Sequence, residues 1–251
     1  MPKSSRGGQG AKRTDGGSIA QSHTGIVINA PSTPVAPSPV QAVRNHTKFT
    51  DADAKQLISV NADAYDDPDF IYARKLYVSD ATDNAGFSFS QNLNYKLDNN
   101  MALNANEQYM KDMLQNGMRP IGKDTVLFRA AHDDILKQLG IKDYTKLSQT
   151  QLQQKLVGTT MQTTSYTSWS YDKSKNPFLP GQPQGGGREV YIVNKSASST
   201  KMFFGAKSQA EVVTNIGTNM KISNVYFDGT YATPRLRRNS VPRIVIEVES
   251  W

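Results

Sequence analysis

The chain has 251 residues and a mass of 27.7 kDa, with 37% hydrophobic residues, 20% charged residues and a net charge of +7. This length accommodates one sizeable core with a tail, or two small domains. The absence of cysteine excludes disulfides, thiolate nucleophiles and cysteine-based zinc sites. The three histidines, His23, His46 and His132, are too widely spaced to indicate a metal site, and no apolar run approaches the ~20 residues of a membrane-spanning helix.

Residues 1–45 are predicted to form a disordered basic tail. Glycine, serine and proline dominate this segment, and five cationic side chains stand against one aspartate. The first 20 residues hold no apolar segment of the kind that a secretory signal needs, which favours a cytoplasmic protein, or a virion protein if a phage encodes it. Residues 46–251 are expected to form a single folded domain.

The C-terminal stretch 235–251 is also basic, through Arg235, Arg237, Arg238 and Arg243. Basicity at both ends of the chain suggests an anionic partner, either nucleic acid or an acidic protein surface. Solubility alone explains the same charge equally well.

The first half of the predicted domain is helical. Helix caps, acidic first turns and closing glycines predict helices over 51–62, 88–97 and 107–115, and a short one from Thr145 or Ser148 through Leu156.

The second half is predicted to be built from short strands. Runs rich in valine, isoleucine, threonine and aromatic residues are separated by glycine, proline and asparagine. They cover 125–128, 163–167, 189–193, 211–214, 220–225 and 243–248. Helices followed by strands favour an α+β domain in which two antiparallel β-sheets pack together behind N-terminal helices.

Three short strings carry residues suited to chemistry, although each by itself has an ordinary explanation as exposed polar residues. An apolar strand ends in Arg129 (VLFR), hydroxyl side chains follow one another through 165–170 (SYTSWS), and a carboxylate opens the strand at Glu211 (QAEVV). Strand periodicity places Gln209 and Glu211 on the same face.

In order and spacing these strings resemble the arginine, Ser-Thr-Ser and Gln-x-Glu elements of the mono-ADP-ribosyltransferases, in the branch of C3-like and binary toxins that also has phage and prophage members. LFRA is similar to the family's arginine strand and SYTSWS to its Phe-x-Ser-Thr-Ser strand. FFGAKSQAEVVTNIGTNMKISNV is similar to its acceptor-recognition loop, catalytic glutamate and following strand. The resemblance covers roughly residues 50–251. It departs in the middle string, where Trp169 replaces threonine, and Ser165 is the alternative motif serine.

The resemblance implies a reaction centre that uses NAD as substrate and needs no metal. Glu211 is implied to be the catalytic carboxylate, which stabilises a cationic ribosyl transition state and holds a ribose hydroxyl. Ser168 is implied to orient Glu211, and Ser170 to help bind NAD. Arg129 is implied to contact the NAD phosphates or the adjacent ribose, because a guanidinium offers a planar fork of donors.

Two flanking segments are assigned by the same resemblance. The loop 171–188 takes the place of the family's phosphate–nicotinamide loop, which implies that Phe178 and Arg188 bind NAD, whereas the alternative is an ordinary flexible connection. Phe203 and Phe204 precede Gln209, and all three are implied to recognise the acceptor. The alternative for the two phenylalanines is that they anchor the loop to the core.

A second Glu-x-Glu string at Glu247 and Glu249 competes with Gln209 and Glu211 for the catalytic assignment. It lies at the end of the chain with no strand after it, and its run resembles the family's closing strand. The catalytic carboxylate is therefore assigned to Glu211. A neutral glutamine two residues before it argues against arginine as the acceptor.

Two other function classes stay open at this point. One is a structural or nucleic-acid-binding protein, such as a virion component, with a basic arm that docks on its partner. The other is a transferase fold that has lost activity, for which Trp169 is the main warning. An active transferase requires Arg129, Ser168 and Glu211 to converge in one cleft, whereas a structural or binding protein does not.

Overall fold

The computed structural model describes residues 26–29, 66–79, 81–120, 126–131, 134–171, 190–205, 210–228 and 243–251. The helix predicted over 51–62 and most of the predicted tail lie outside the described residues.

The described part of the chain contains five α-helices, most of them with a well-formed N-terminal cap. Ser88 and Ser148 each form a reciprocal capping box with the glutamine three residues later, and Asp67 accepts the N–H of Asp69 just before a proline that opens the first helix. The helices are α1 (Pro68–Tyr77), α2 (Phe89–Asp98), α3 (Ala105–Gly117), α4 (Asp134–Gln138) and α5 (Gln149–Leu156).

Within the described residues, ten strands form one curled sheet. They are β1 (Ile26–Asn29), β2 (Arg119–Pro120), β3 (Leu127–Ala131), β4 (Thr160–Thr163), β5 (Thr167–Ser170), β6 (Val190–Ser196), β7 (Lys201–Phe204), β8 (Glu211–Thr214), β9 (Asn219–Asp228) and β10 (Arg243–Ser250). Their spatial order is β1-β4-β9-β10-β6-β3-β5-β8-β7-β2.

The predicted α+β class is confirmed. The two expected sheets correspond to two halves of this sheet, β1-β4-β9-β10-β6-β3 and β5-β8-β7-β2, which meet at the single register pair Phe128–Ser170. All described pairings are antiparallel except that of β10 with β6.

Two predictions about strands are corrected. Residues 26–29 were assigned to the disordered tail, but they form β1 at the edge of the sheet, where Ile26 pairs with Thr163. The run Ile-Val-Ile has high β-propensity, and the glycine- and proline-rich composition around it concealed this short signal. The strand predicted over 163–167 is instead the end of β4, a bend, and the start of β5.

Two main cores lie on opposite faces of the β5–β8 strand pair. Strand alternation on β8 sends Val212 into the core formed with α4, α5 and both halves of the sheet, and Val213 into the core beneath α1, α2 and α3. The second core contains Phe70, Tyr77, Leu93, Met110, Leu114, Tyr166 and Phe203. Helices α1 and α2 are therefore fixed directly over the face to which Glu211 also belongs.

Candidate active site

Three strands bring the sequence-predicted residues together where the two halves of the sheet meet. Arg129 lies on β3, and its Nη1 donates to the main-chain carbonyl of Ser168 on β5 at 2.6 Å. On the other side of β5, Ser170 pairs directly with Glu211, the first residue of β8. Arg129, Ser168, Ser170 and Glu211 thus occupy adjoining positions, although they are far apart in the sequence.

Strand register also decides which serine of the middle string faces the carboxylate. Ser168 and Ser170 share the face of Glu211, with Ser168 opposite Val213 and Ser170 opposite Glu211. A diagonal neighbour such as Ser168 is still within reach of a glutamate side chain. Ser165, the alternative motif serine, precedes β5 and is completely buried. The register therefore favours Ser168 and Ser170.

Trp169 points away from this face. It is 3% exposed, packs in the core that contains Val212, and donates from its indole Nε1 to Thr214 Oγ1 at 3.1 Å. A tryptophan at this position fills the core behind the site, so the departure from the Ser-Thr-Ser pattern leaves the face that carries Glu211 unchanged.

The charge of Arg129 is held in a desolvated environment. Burial lowers the pKa of Arg129 to about 10, and the negative charge of Asp98 and Glu211 acts in the opposite direction, as does Tyr77. A pKa of about 10 keeps the guanidinium cationic at neutral pH. The site therefore holds a fixed cation within electrostatic range of the Glu211 carboxylate.

Helices α1 and α2 contribute residues that the sequence analysis did not select. Asn94 on α2 donates from Nδ2 to the Tyr77 hydroxyl at 3.0 Å and to the Tyr166 carbonyl at 3.3 Å. Thr164 donates to Asp98 Oδ1 at 2.7 Å. Burial, and to a smaller extent Glu211, raises the pKa of Tyr77, so this phenol stays neutral. These contacts hold the end of α1 and one face of α2 against the strands of the site.

The competing Glu-x-Glu string lies elsewhere. Glu247 and Glu249 are on β10, which is separated from β5 and β8 by β6 and β3. Glu247 is 1% exposed and its Oε2 lies 3.0 Å from Lys195 Nζ, whereas Glu249 lies opposite Lys221 in the register of β10 with β9. The geometry thus favours Glu211 as the carboxylate next to Arg129.

Three of the predicted binding residues are buried. Phe203 is completely buried and its ring packs edge-on against Phe70 and Tyr77, with centroids 6.1 and 5.9 Å apart. Phe204 is buried on the opposite face of β7. Both phenylalanines belong to a strand rather than to a loop, and their burial favours the alternative in which they anchor this segment to the core. Arg243, predicted to contact nucleic acid, is 3% exposed and stacks over Tyr191.

The remaining predicted residues lie outside the described residues. They are Gln209, Phe178, Arg188, Arg235, Arg237 and Arg238.

The arrangement of strands and helices is shared with bacterial toxins of known structure. C3stau2 from S. aureus, solved with NAD, superposes with a TM-score of 0.57 at 14% identity, covering 84% of this chain and 99% of that chain. Plx2a, an ADP-ribosyltransferase toxin from Paenibacillus larvae, gives 0.56 at 12% identity, with 80% and 94% covered. The chain has the ADP-ribosyltransferase fold.

The enzymatic component C2-I of the Clostridium botulinum C2 toxin also matches, with a TM-score of 0.58 at 15% identity over 80% of this chain and 47% of that chain. No family model and no curated protein matches the sequence. The similarity to these proteins is thus one of fold rather than of sequence.

The residues of the site fit a dinucleotide. Arg129 supplies charge-assisted donors of the kind that bind phosphate, and Glu211 supplies an acceptor for hydroxyl groups. Glu211 is only partly buried. None of the helices in the described part of the chain has the length and apolar character needed to cross a bilayer.

Proposed function

We propose that this protein is an NAD-dependent mono-ADP-ribosyltransferase that transfers ADP-ribose to a macromolecular acceptor and releases nicotinamide. The observation that carries the proposal is the convergence of Arg129, Ser168 and Glu211 on adjoining strands of an ADP-ribosyltransferase fold. A basic structural protein would have no need to place an arginine, a serine and a carboxylate in this arrangement.

The reaction needs little covalent chemistry from the protein. The bond between the ribose C1′ and the nicotinamide nitrogen breaks, and its electron pair leaves with the nicotinamide, which becomes neutral. Glu211 provides the negative charge that stabilises the cationic ribosyl transition state. Arg129 binds the phosphates or the adjacent ribose, and Ser168 and Ser170 keep the Glu211 side chain directed to the reaction centre. The acceptor atom then bonds to C1′ and loses its proton to solvent.

Gln209 favours acceptor side chains other than arginine. A neutral amide two residues before Glu211 cannot help to deprotonate or orient a guanidinium as a carboxylate does. We favour a protein acceptor with an amide, carboxylate or thiol side chain. The basic termini keep nucleic acid as the second class of acceptor to test.

The experiment uses NAD labelled in its adenylate part, purified protein and a cell lysate. Label is expected in the protein fraction and in neither DNA nor RNA. Label in the nucleic-acid fraction would show that the acceptor is a nucleic acid and not a protein. Labelled protein that forms equally with wild-type and Glu211→Gln enzyme would reject the proposed reaction.

Two variants separate hydrolysis of NAD from transfer. Gln209→Ala is expected to keep most nicotinamide release while it strongly reduces labelling of the acceptor, because the resemblance assigns Gln209 to the acceptor and Glu211 to the ribose. Glu211→Gln is expected to lose both activities. Equal loss of both activities in Gln209→Ala would contradict the assigned roles.

A further inference from the structure

We propose that Arg74 on α1 is a positioning residue, which fixes the end of β7 so that Gly205 holds the Glu211 carboxylate in place. This inference rests on the proposed function, since it takes Glu211 as the catalytic carboxylate. The juxtaposition that carries it is a guanidinium on one side of the Phe204–Gly205 backbone and the Glu211 side chain on the other.

Arg74 binds two consecutive carbonyls. Its Nε donates to Phe204 O at 2.5 Å and its Nη2 donates to Gly205 O at 2.9 Å. A guanidinium presents these donors as a rigid planar fork, so the pair of bonds fixes direction as well as distance. Arg74 is half-buried on α1, between Ala73 and Tyr77, which are both buried against the sheet. The two hydrogen bonds of Arg74 therefore hold the Phe204–Gly205 backbone from a helix that is packed against the sheet.

Gly205 transmits this constraint to Glu211. Its N–H donates to the main-chain carbonyl of Glu211 at 2.9 Å. A Cβ placed on Gly205 would collide with Oε2, Cδ and Cγ of the Glu211 side chain. The glutamate side chain thus lies directly on the bare backbone of Gly205, and any shift of this backbone displaces the carboxylate.

The backbone conformation of Ala210, the residue before Glu211, explains why the neighbouring backbone must be held in place. Ala210 has a φ of 47°, in the left-handed region that alanine rarely adopts, and it is 1% exposed. Its carbonyl accepts the N–H of Tyr171 at 2.9 Å. The chain therefore enters β8 in a conformation that its own preferences oppose, and the neighbouring backbone must hold it there.

A purely structural role for Arg74, tying α1 to the sheet, predicts loss of stability without a specific effect on catalysis. A positioning role predicts a lower kcat with an unchanged KM for NAD, because the two hydrogen bonds of Arg74 hold the Phe204–Gly205 backbone, whereas Arg129 is the residue proposed to bind the dinucleotide. A misplacement of the catalytic group by about 1 Å can cost about 10²-fold in rate. The split between kcat and KM therefore distinguishes the two roles.

The test measures nicotinamide release by Arg74→Ala, Arg74→Lys and Arg119→Ala. Arg119 is the matched control, because its Nη1 also donates to two main-chain carbonyls, those of Asn116 and Met118, at the far edge of the sheet. We expect Arg74→Ala to lower kcat about 10²-fold at the wild-type KM, and Arg74→Lys to restore part of it. Arg119→Ala should keep the wild-type kcat.

Two glycine variants test the same contact from the other side. Gly205→Ala should lower kcat in the same way, since the added methyl group meets the Glu211 carboxylate. Gly217→Ala introduces strain at a φ of 75° with no atom near the new methyl group, so it should lower stability and leave kcat unchanged.

The outcomes separate this inference from the function on which it rests. If wild-type protein releases nicotinamide, Glu211→Gln does not, and Arg74→Ala matches Arg119→Ala in kcat, the positioning role is wrong and the proposed function stands. If wild-type protein releases no nicotinamide, the proposed function fails and the positioning role falls with it.

Discussion

Replacing Trp169 by threonine would give the middle string the Ser-Thr-Ser pattern that it lacks, and this variant tests how the site is built. If Trp169 faced the cleft, the change would remove an obstacle and raise activity. The structure instead places the indole at 3% exposure in the core behind β5, with Nε1 bonded to Thr214 Oγ1 at 3.1 Å. We therefore expect Trp169→Thr to destabilise the protein and to bring no gain in nicotinamide release.

The magnitude follows from the contacts that are lost. Truncation of a buried tryptophan to alanine costs 3–5 kcal/mol by precedent, mostly through the cavity left behind, and the buried hydrogen bond is part of that loss. Thr214 keeps its bond to the Thr167 carbonyl at 3.2 Å, so its hydroxyl is not left unpaired. We expect a loss of about 4 kcal/mol in the free energy of unfolding. For a chain of this size that corresponds to a fall in Tm of roughly 8–16 °C.

Urea denaturation followed by circular dichroism measures the loss, and nicotinamide release at 15 °C measures the activity of the folded variant. Trp251 offers the matched control, since it is 54% exposed and its replacement by threonine should change stability by less than about 0.5 kcal/mol. A Trp169→Thr variant that is as stable as wild type and faster in nicotinamide release would refute the placement of Trp169 in the core.

Two further predictions concern stability. Burial raises the pKa of Glu107, but hydrogen bonds from Lys96 (2.6 and 2.8 Å) and from the Asn104 N–H outweigh burial and hold that pKa below its ordinary value of 4.5. The Glu107 carboxylate thus stabilises the fold above pH 4.5, and Glu107→Gln should cost about 2 kcal/mol at pH 7. This difference, measured by urea denaturation, should shrink as the pH falls below 4.5. Deletion of residues 1–24 should leave Tm unchanged. Deletion of residues 1–45 also removes β1 from the edge of β4, so it should lower the free energy of unfolding by about 2 kcal/mol. Equal Tm values for the two truncations would contradict a stabilising role for β1.

Features set by local chemistry were predicted well from the sequence. Ser88 and Ser148 begin helices as their capping chemistry requires, and Glu211–Thr214 forms a strand with the bounds that its valine and threonine content indicates. The resemblance of the strings around Arg129, Ser168 and Glu211 to a known family implied their convergence, and the pairings of β3, β5 and β8 bring these residues to adjoining strands.

Features set by long-range packing were missed. Phe203 and Phe204 follow a short run that gives little strand signal, and only the helices packed on β7 explain why both rings are buried. Arg74 and the carbonyls that it binds are about 130 residues apart in the chain. The Asp67–Pro68 pair does carry a helix-start signal and would have predicted α1, but no local pattern shows that this helix lies over Glu211.

The central claim is that Glu211 is the carboxylate of an NAD-cleaving site. It is tested most directly by nicotinamide release from purified wild-type, Glu211→Gln and Glu249→Gln proteins, with Glu249 as the control from the competing Glu-x-Glu string on β10. The account predicts release by wild type, a loss of about 10²–10³-fold in Glu211→Gln, and wild-type rates in Glu249→Gln. Full activity in Glu211→Gln together with its loss in Glu249→Gln would contradict the assignment.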